Sequence, residues 1–469
     1  MQPTKGKPAA INSKTPQYLV TLAATLLVFA GGTTIGWSSP ALHRYDEKNS
    51  TLPIHPSTAE SSWISSLLTV GALIGALPSG YLADLFGRKR AMQLVAVPLL
   101  VSWVMIVFAQ TVTLVCAARL IAGISLGAIC TLVPMYINEI SEDSIRGILG
   151  SSFQLLVTSG IVFEYFIGAV MSYNTIAYSA AIVPVIFLFA FCGCPETPTY
   201  LLKKGRREEA ARSLQSLRGI GSDISKEMQG LEYDLEAKSG PRMSFIKALS
   251  LRENRMGVII SLGMMFCQQF SGINIVVFYA SKIFNAAGST LDPQVCTILV
   301  GLAQVVATLI SLFLVDTAGR KILLQISAAS MVVLLSVLGF YFKLKDGGED
   351  VSSLSLVPIV ALVSYVMLFG IGFGPIPWMM TGEVLPDDIK SICSGLAVST
   401  NWTLAFVLTL SFQSVTDTIG NAGTYWSLAA INALSFIFIT FVVVETKGKS
   451  LQEIQQELAG KKSQPDQLV

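Results

Sequence analysis

One short charged phrase occurs twice in this sequence, each time at the edge of a long apolar stretch. Gly80-Tyr81-Leu82-Ala83-Asp84-Leu85-Phe86-Gly87-Arg88-Lys89 returns in shortened form as Val315-Asp316-Thr317-Ala318-Gly319-Arg320-Lys321. Two further echoes keep the same order. Glu139 with Arg146 returns as Glu383 with Lys390, and Pro195-Glu196-Thr197 returns as Val444-Glu445-Thr446. The three offsets are 232, 244 and 249 residues, so the second half repeats the first. Duplicated halves built on apolar segments describe a carrier with a central site between them better than an enzyme or a receptor.

Composition settles the environment. Hydrophobic residues make up 52% of the 469 and charged residues 13%, with a mean hydropathy of +0.61. A soluble domain carries about 25% charged residues, and a chain so poor in charge cannot keep its surface wet. The 38 glycines suit close helix packing in lipid. Net charge is +2, which implies no acidic partner and no nucleic acid. The seven cysteines are odd in number and lie almost all inside apolar runs, so they read as packing residues. With only His43 and His55 to join them, they form no metal-ligand set, and no catalytic triad or paired-acid arrangement stands out. No cofactor or metal is expected. The first residues are basic and polar, and Tyr18–Phe29 runs on into a spanning segment, which reads as no cleavable signal.

A crossing needs about 20 mostly apolar residues. Twelve stretches qualify: about 18–39, 60–82, 91–109, 112–136, 149–171, 174–194, 256–281, 293–315, 321–342, 354–380, 391–414 and 421–443. The expected architecture is an all-α membrane protein with twelve transmembrane helices in two six-helix bundles, 18–194 and 256–443. A cytoplasmic tail, 1–17, precedes them and another, 444–469, follows. Between the bundles, 195–255 is polar, and Gly205–Arg218 has an amphipathic helical pattern of mixed charge. With the N-terminus in the cytoplasm, 26 of the 32 Lys and Arg fall on the cytoplasmic side and 5 on the other; Arg119, inside the fourth span, is the last. Both termini are therefore expected in the cytoplasm. Asn49-Ser50-Thr51 then lies in the first external loop, where Asn49 is open to glycosylation.

Read together, the motifs resemble those of the sugar porters of the major facilitator superfamily, the group of the animal facilitative glucose transporters and insect trehalose transporters. The resemblance rests on Asp84-Leu-Phe-Gly-Arg-Lys89, Arg119-Leu-Ile-Ala-Gly123, Pro134-Met-Tyr-Ile-Asn-Glu139 with Arg146-Gly147, and Pro195-Glu-Thr-Pro-Thr-Tyr200. In the second half it rests on Gln268-Gln-Phe-Ser-Gly-Ile-Asn274, Asp316-Thr-Ala-Gly-Arg-Lys321, Gly374-Pro-Ile-Pro-Trp378 and Glu445-Thr-Lys-Gly448. It covers about 18–450, and Gly36-Trp37-Ser38-Ser39-Pro40 with Phe153-Gln-Leu-Leu156 look most like the insect trehalose and hexose carriers and their vertebrate relatives. It implies a monomeric, multi-pass carrier of the plasma membrane that moves a hexose or trehalose by alternating access. The alternatives are a proton-coupled symporter and a non-transporting sugar sensor.

The repeated charges form a cytoplasmic gate in that family: Asp84, Arg88, Glu139, Arg146 and Glu196 in the first half, with Asp316, Arg320, Glu383, Lys390 and Glu445 in the second. The resemblance pairs them across the bundles when the cytoplasmic side is closed, Glu139 with Arg320, Glu383 with Arg88, Arg146 with Glu196, and Lys390 with Glu445, as a latch that breaks on each cycle. Lys390 and Val444 depart from the usual Arg and Pro. The plainer reading is that the cations only fix topology.

A sugar offers hydroxyls that donate and accept, and faintly apolar ring faces, which neutral amides and aromatic rings recognise. Gln268, Gln269, Asn274 and Tyr279 in the seventh span combine these groups, joined by Gln154, Gln304 and Asn401, with Trp378 and Trp402 as ring-stacking candidates. Gln269 and Asn274 stand about 140° apart on a regular helix, so they share one side of a cavity only if the helix breaks, which Ser271-Gly272 allows. Pro375 and Pro377 must break the tenth span as well. The competing reading is that these amides merely join neighbouring helices.

Proton-driven relatives carry an acid near the position of Thr34, and Thr cannot take up a proton at neutral pH, which favours facilitated diffusion. Glu164 stands against this, being a carboxylate within the fifth span. Arg119 and Glu164 lie at similar depths, so either they form a buried pair or Glu164 carries protons.

Overall fold

The computed structural model describes residues 14–46, 52–142, 144–219, 222–237, 245–288 and 291–460. Asn49 and the side chain of Asp316 lie outside the described residues.

Helices begin where the sequence supplies caps. Ser57 Oγ accepts the Glu60 N–H at 3.3 Å while Glu60 Oε2 accepts the Ser57 N–H at 2.8 Å, a reciprocal cap that starts the second span. Thr111 opens the fourth by accepting the Leu114 N–H, and Asp292 with Pro293 opens the eighth. The first six spans are Thr15–Gly36 continued by Ser38–Asp46, Thr58–Phe86, Arg88–Val107, Val112–Ile140, Arg146–Val170 and Tyr173–Cys192. The seventh is Arg252–Phe270 followed by Ile273–Ala287, and the eighth and ninth are Pro293–Ala318 and Arg320–Asp346. The tenth is Val357–Ile371 followed by Ile376–Val384.

Among the described residues, eleven stretches are long and apolar enough to cross a membrane. One of them, Ile392–Phe441, holds two crossings, because Gly420 (φ 75°, ψ 168°) interrupts the helix Asp387–Phe441. That makes twelve, as the apolar runs required. Among the described residues there is no strand. The segment between the sixth and seventh spans holds four helices, Pro198–Lys203, Arg207–Arg218, Ser225–Ala237 and Phe245–Ser250, where the sequence pattern pointed to one. A further helix, Leu451–Leu458, follows the last span.

Lipid tails are as apolar as side chains, so helices in a bilayer associate through close packing rather than the hydrophobic effect. Glycine supplies that closeness. A Cβ on Gly75 would lie 1.9 Å from Ile124 O, and one on Gly127 would lie 1.9 Å from Ala72 O, so the second and fourth spans touch backbone to backbone. The first and fifth spans do the same through Gly32 and Gly160, whose Cβ atoms would fall 2.2 Å from Val157 O and 2.3 Å from Phe29 O. Bulky rings such as Phe189, Phe313 and Phe441 stand outward, as a lipid-facing surface permits.

The halves meet at the ends away from the Gly-Arg-Lys turns. Ser39 Oγ lies 2.9 Å from Ser281 Oγ and accepts the Ser281 N–H at 3.0 Å. Tyr165 Oη donates to Val277 O at 2.7 Å, Lys282 pairs with Asp46 at 2.9 Å, and the rings of Trp63 and Phe406 are 6.1 Å apart. The described cross-half hydrogen bonds, ion pair and ring contact all lie in that outer half.

Candidate functional site

The seventh span breaks at Gly272, whose φ of +93° is left-handed and open to glycine without strain. Ser271 Oγ turns back onto Gln268 O at 2.6 Å, and Tyr365 Oη of the tenth span donates to Ser271 O at 2.8 Å. The break lets residues on both sides of it converge. Asn274 Nδ2 donates to Gln269 Oε1 at 2.6 Å, Gln269 Nε2 to Asn401 Oδ1 at 2.8 Å, and Asn401 Nδ2 to Gln268 Oε1 at 2.8 Å. Four neutral amides from the seventh and eleventh spans thus form one chain.

The far end of that chain repairs the break in the tenth span. Pro377 has no N–H for Phe373 O, and Gln268 Nε2 donates to it at 2.8 Å and to Gly374 O at 3.0 Å. Pro375 likewise deprives Ile371 O of a donor, and Ser311 Oγ supplies one at 3.2 Å. Gln268 thereby spends both amide protons, and so does Asn401, whose second proton goes to Met265 Sδ at 3.4 Å. Gln269 keeps one amide proton, and Asn274 keeps its carbonyl oxygen and one proton, free of bonds among the described residues. These last two amides are the ones with capacity for a ligand.

Of the other expected binding residues, Gln304 and Tyr279 are buried and Gln154 is half-buried. Tyr279 Oη donates to Thr409 O at 3.1 Å and its ring leans on Phe412, so it belongs to the outer packing. Gln154 and Gln304 make no side-chain hydrogen bond to the amide chain among the described residues. Gln304 follows Gly301 by one turn on the eighth span, and Gly301 packs on Val162 and Tyr165 of the fifth, the span that carries Gln154. Trp378 is 38% exposed. Trp402, next to Asn401, is half-buried and its Nε1 has no partner. The structure joins Gln268, Gln269, Asn274 and Asn401 directly, and leaves the rings and the two remaining glutamines apart from that chain. Ser311 and Tyr365 were missed by the sequence reading; the signal for Ser311 was the pair of prolines, whose orphaned carbonyls must find donors, and the signal for Tyr365 was the Ser271-Gly272 break, whose carbonyl it bonds.

At the turn ends the expected cross-half pairs are not the ones formed. Arg88 reaches Glu139 of its own half at 2.9 Å and Asp84 at 3.1 Å, and Lys203 reaches Asp84 at 2.8 Å. Arg320 reaches Glu383 of its own half at 3.4 Å, and Thr446 Oγ1 donates to Glu383 at 2.5 Å. The pairings of Glu139 with Arg320 and of Glu383 with Arg88, expected when the cytoplasmic side is closed, are not formed in this arrangement, where the halves meet at the opposite ends.

Glu196 and Glu445 serve helix starts in this arrangement. Spans three and nine start at Gly87 (φ 95°) and Gly319 (φ 94°), residues with no side chain to cap the exposed N–H groups. Glu196 fills the gap by accepting from the backbone N–H of Arg88 at 3.0 Å and of Lys89 at 3.2 Å. Glu445 does the same for Arg320 and Lys321, each at 3.0 Å. An anion at a helix N-terminus also meets the positive end of the helix dipole. Arg146 donates to Ser141 O at 3.5 Å, and Lys390 forms no ion pair with Glu445 among the described residues.

These two carboxyls are tuned in opposite directions. Burial raises that of Glu196 above its ordinary value, against the N–H donors of Thr197, Lys89 and Arg88. Burial also pushes Glu445 upward, but the N–H donors of Lys447, Arg320, Lys321 and Thr446 outweigh it and hold the group below 4.5. The stabilisation from Glu445 is therefore complete above 4.5 and is lost as pH falls through the lowered value. For Glu196 the sign reverses, and its anion at neutral pH is the costlier form. Glu445→Gln is expected to lower the melting temperature at neutral pH more than Glu196→Gln, and thermal melts of the two variants check it.

Arg119 and Glu164 make no direct ion pair, although each lies within the other's electrostatic reach. Arg119 is fully buried and donates to Thr34 O at 2.7 Å, Ser38 Oγ at 2.6 Å and Ile64 O at 3.3 Å, with its guanidinium 5.0 Å from the Trp37 ring centre. Both Glu164 carboxylate oxygens lack a hydrogen-bond partner among the described residues, and its Cβ packs against Gly36. Helix depth was right for a pair, but the two residues point to different neighbours.

A twelve-span, two-half membrane protein with an amide chain at a helix break is a transporter by architecture. The chain belongs to the family described as sugar (and other) transporter, whose model matches residues 19–458. It is 36% identical to a facilitated trehalose transporter Tret1 from Polypedilum vanderplanki, over 95% of this chain and 90% of that one. It is 37% identical to the Bombyx mori Tret1 over 94% of this chain and 86% of the relative. The chain spans about half the length of some relatives, 48% for the Tret1 of Drosophila grimshawi, with 37% identity over 95% of this chain. In structure it is similar to a partially occluded inward open form of the xylose transporter XylE from E. coli, with a TM-score of 0.78, 24% identity, and coverage of 93% and 100%. That likeness carries the fold.

Proposed function

We propose that this protein is a facilitative transporter of a small neutral sugar, a hexose or trehalose, with its site at the break of the seventh span. The observation that carries the reading is the amide chain from Asn274 to Gln268, which ends in unspent donors and an acceptor on Gln269 and Asn274. Neutral amides recognise hydroxyls without demanding a charged substrate. The relatives named as facilitated trehalose transporters point the same way. Gln154, Gln304 and Trp402 supply further walls, and Trp378 stands just past the tenth-span break as part of an inner gate.

Outer halves in contact, with no corresponding contact described between the turn ends, fit a carrier open toward the turns. The excess of Lys and Arg on that side supports a cytoplasmic orientation, and the resemblance to facilitative sugar carriers supports the plasma membrane as the site of action and a single chain as the working unit. The charged networks around Arg88 and Arg320 then hold the turn end of each half rigid, so that the halves move as bodies. Arg88 is nearly buried, and removing it leaves Glu139 unpaired at a cost of about 3 kcal/mol.

Thr34 donates to Ala30 O at 2.9 Å and takes up no proton, so transport is uncoupled in this reading. Glu164→Gln is expected to preserve uptake and leave it independent of pH; a wild type stimulated by acid that loses its stimulation in this variant would point to coupling instead. The reading itself is tested by uptake of labelled trehalose and labelled glucose into proteoliposomes. Saturable, protein-dependent uptake of at least one supports it, and uptake of neither, by protein shown to be folded, contradicts it.

A further inference from the structure

A cavity of about 600 Å³ lies apart from the sugar site, between the turn ends of the third and sixth spans and the helix Arg207–Arg218. Four cations line it, Lys89, Arg90, Arg206 and Arg212, against two carboxylates, Glu196 and Glu209. Both carboxylates are spoken for: Glu196 caps the third span, and Glu209 is gripped by Arg206 at 2.7 and 2.5 Å. Lys89 Nζ donates to Cys192 O at 2.6 Å. Arg90 and Arg212 are exposed and form no hydrogen bond or ion pair among the described residues. The cavity therefore presents two uncommitted guanidiniums, the side chains best suited to grip a phosphate with paired donors.

Its position says which phosphate. On the third span Leu94, Val97, Val101 and Val104 are exposed and form a helical stripe, and Arg90 lies one turn before Leu94 on the same face. On the sixth, Ile182, Val185 and Phe189 form a second exposed stripe, and Cys192 continues it into the cavity. In a membrane transporter, exposed apolar stripes face acyl chains. The cavity thus opens at the foot of two lipid-facing surfaces, at the level where headgroups sit.

We infer that this cavity binds the phosphate of an anionic phospholipid headgroup, with Arg90 and Arg212 as its ligands and the acyl chains lying along the two stripes. Such a lipid bridges the third span to the linker helix and fastens the linker to the first half. Basic pockets at the ends of spans bind anionic headgroups in this manner. The inference uses the cytoplasmic orientation proposed above only to say which leaflet supplies the lipid, and its test does not involve sugar.

The test is native mass spectrometry of the purified full chain in detergent with added phosphatidylserine or phosphatidylcholine, compared among wild type, R90Q/R212Q and the exposed linker control K226Q. The expected result is a retained phosphatidylserine adduct on wild type and K226Q, weaker retention of phosphatidylcholine, and loss of about tenfold or more of the phosphatidylserine adduct in the double variant. Size-exclusion profiles verify folding, and R212Q alone, which touches only the linker, serves if the double variant does not fold. Equal retention by wild type and variant overturns the site. Displacement of the adduct by inorganic phosphate alone overturns the lipid assignment in favour of a soluble anion.

Discussion

Replacing Gln269 with Leu is expected to cut sugar uptake by about tenfold to a hundredfold while folded protein still reaches the membrane. Gln269 is the middle link of the amide chain, accepting from Asn274 and donating to Asn401. Its loss removes one of the two amides with unspent capacity and frees the other, Asn274, to turn away. A site built to hydrogen-bond hydroxyls suffers most when its own polar groups lose their partners. The packing role and the binding role are separable by comparison with Ser311→Ala. That change leaves Ile371 O without its donor and so lowers stability, but it leaves the amide chain intact. If Q269L and S311A reduce uptake equally, per molecule at the cell surface, the amide chain is structural.

The second large effect is on folding. Gly75→Ala puts a methyl group 1.9 Å from Ile124 O, a backbone atom that no rotamer change moves aside. The second and fourth spans must part along their length, and neighbouring Gly71, Gly123 and Gly127 lose their contacts with them. A cost of about 3 kcal/mol or more is expected, enough to remove most folded protein. Gly80→Ala on the same helix meets nothing within 4 Å and is expected to be near neutral. Fluorescence-detected size exclusion of tagged variants distinguishes them: a monodisperse peak for Gly80→Ala, and a collapsed one for Gly75→Ala. A monodisperse Gly75→Ala of wild-type yield would contradict the close seam.

The spans were legible because twenty apolar residues in a row leave a chain little choice. The break at Gly272 was legible for a sharper reason: Gln269 and Asn274 cannot share a face on an unbroken helix, and a Ser-Gly pair stood between them. The ionic partners of this arrangement were not legible. Because the halves are duplicated, every arginine has two equivalent acids, one in each half, and sequence alone cannot choose between Glu139 and Glu383 for Arg88. The glycine seam decides it by carrying the end of the fourth span, with Glu139, beside the turn that holds Arg88.

Glu196 and Glu445 show a further limit. Their negative charge suggested cationic partners, yet the strongest local demand came from uncapped N–H groups opening helices at Gly87 and Gly319. For Arg119 and Glu164, counting residues from the helix ends fixed depth but not azimuth. Arg119 turned to the carbonyls of Thr34 and Ile64, and Glu164 to the open face of Gly36.

The central claim is that this chain lets a sugar run down its own gradient through the amide-lined break. The most direct measurement follows the internal concentration of labelled trehalose or glucose in proteoliposomes to its plateau, with an inward proton gradient and again with a protonophore. The account predicts a plateau equal to the external concentration in both conditions, and its loss in Gln269→Leu on the time scale of wild-type equilibration. Accumulation above the external concentration that collapses with the protonophore would contradict it, and would make the protein a proton-driven pump with Glu164 as the first residue to examine.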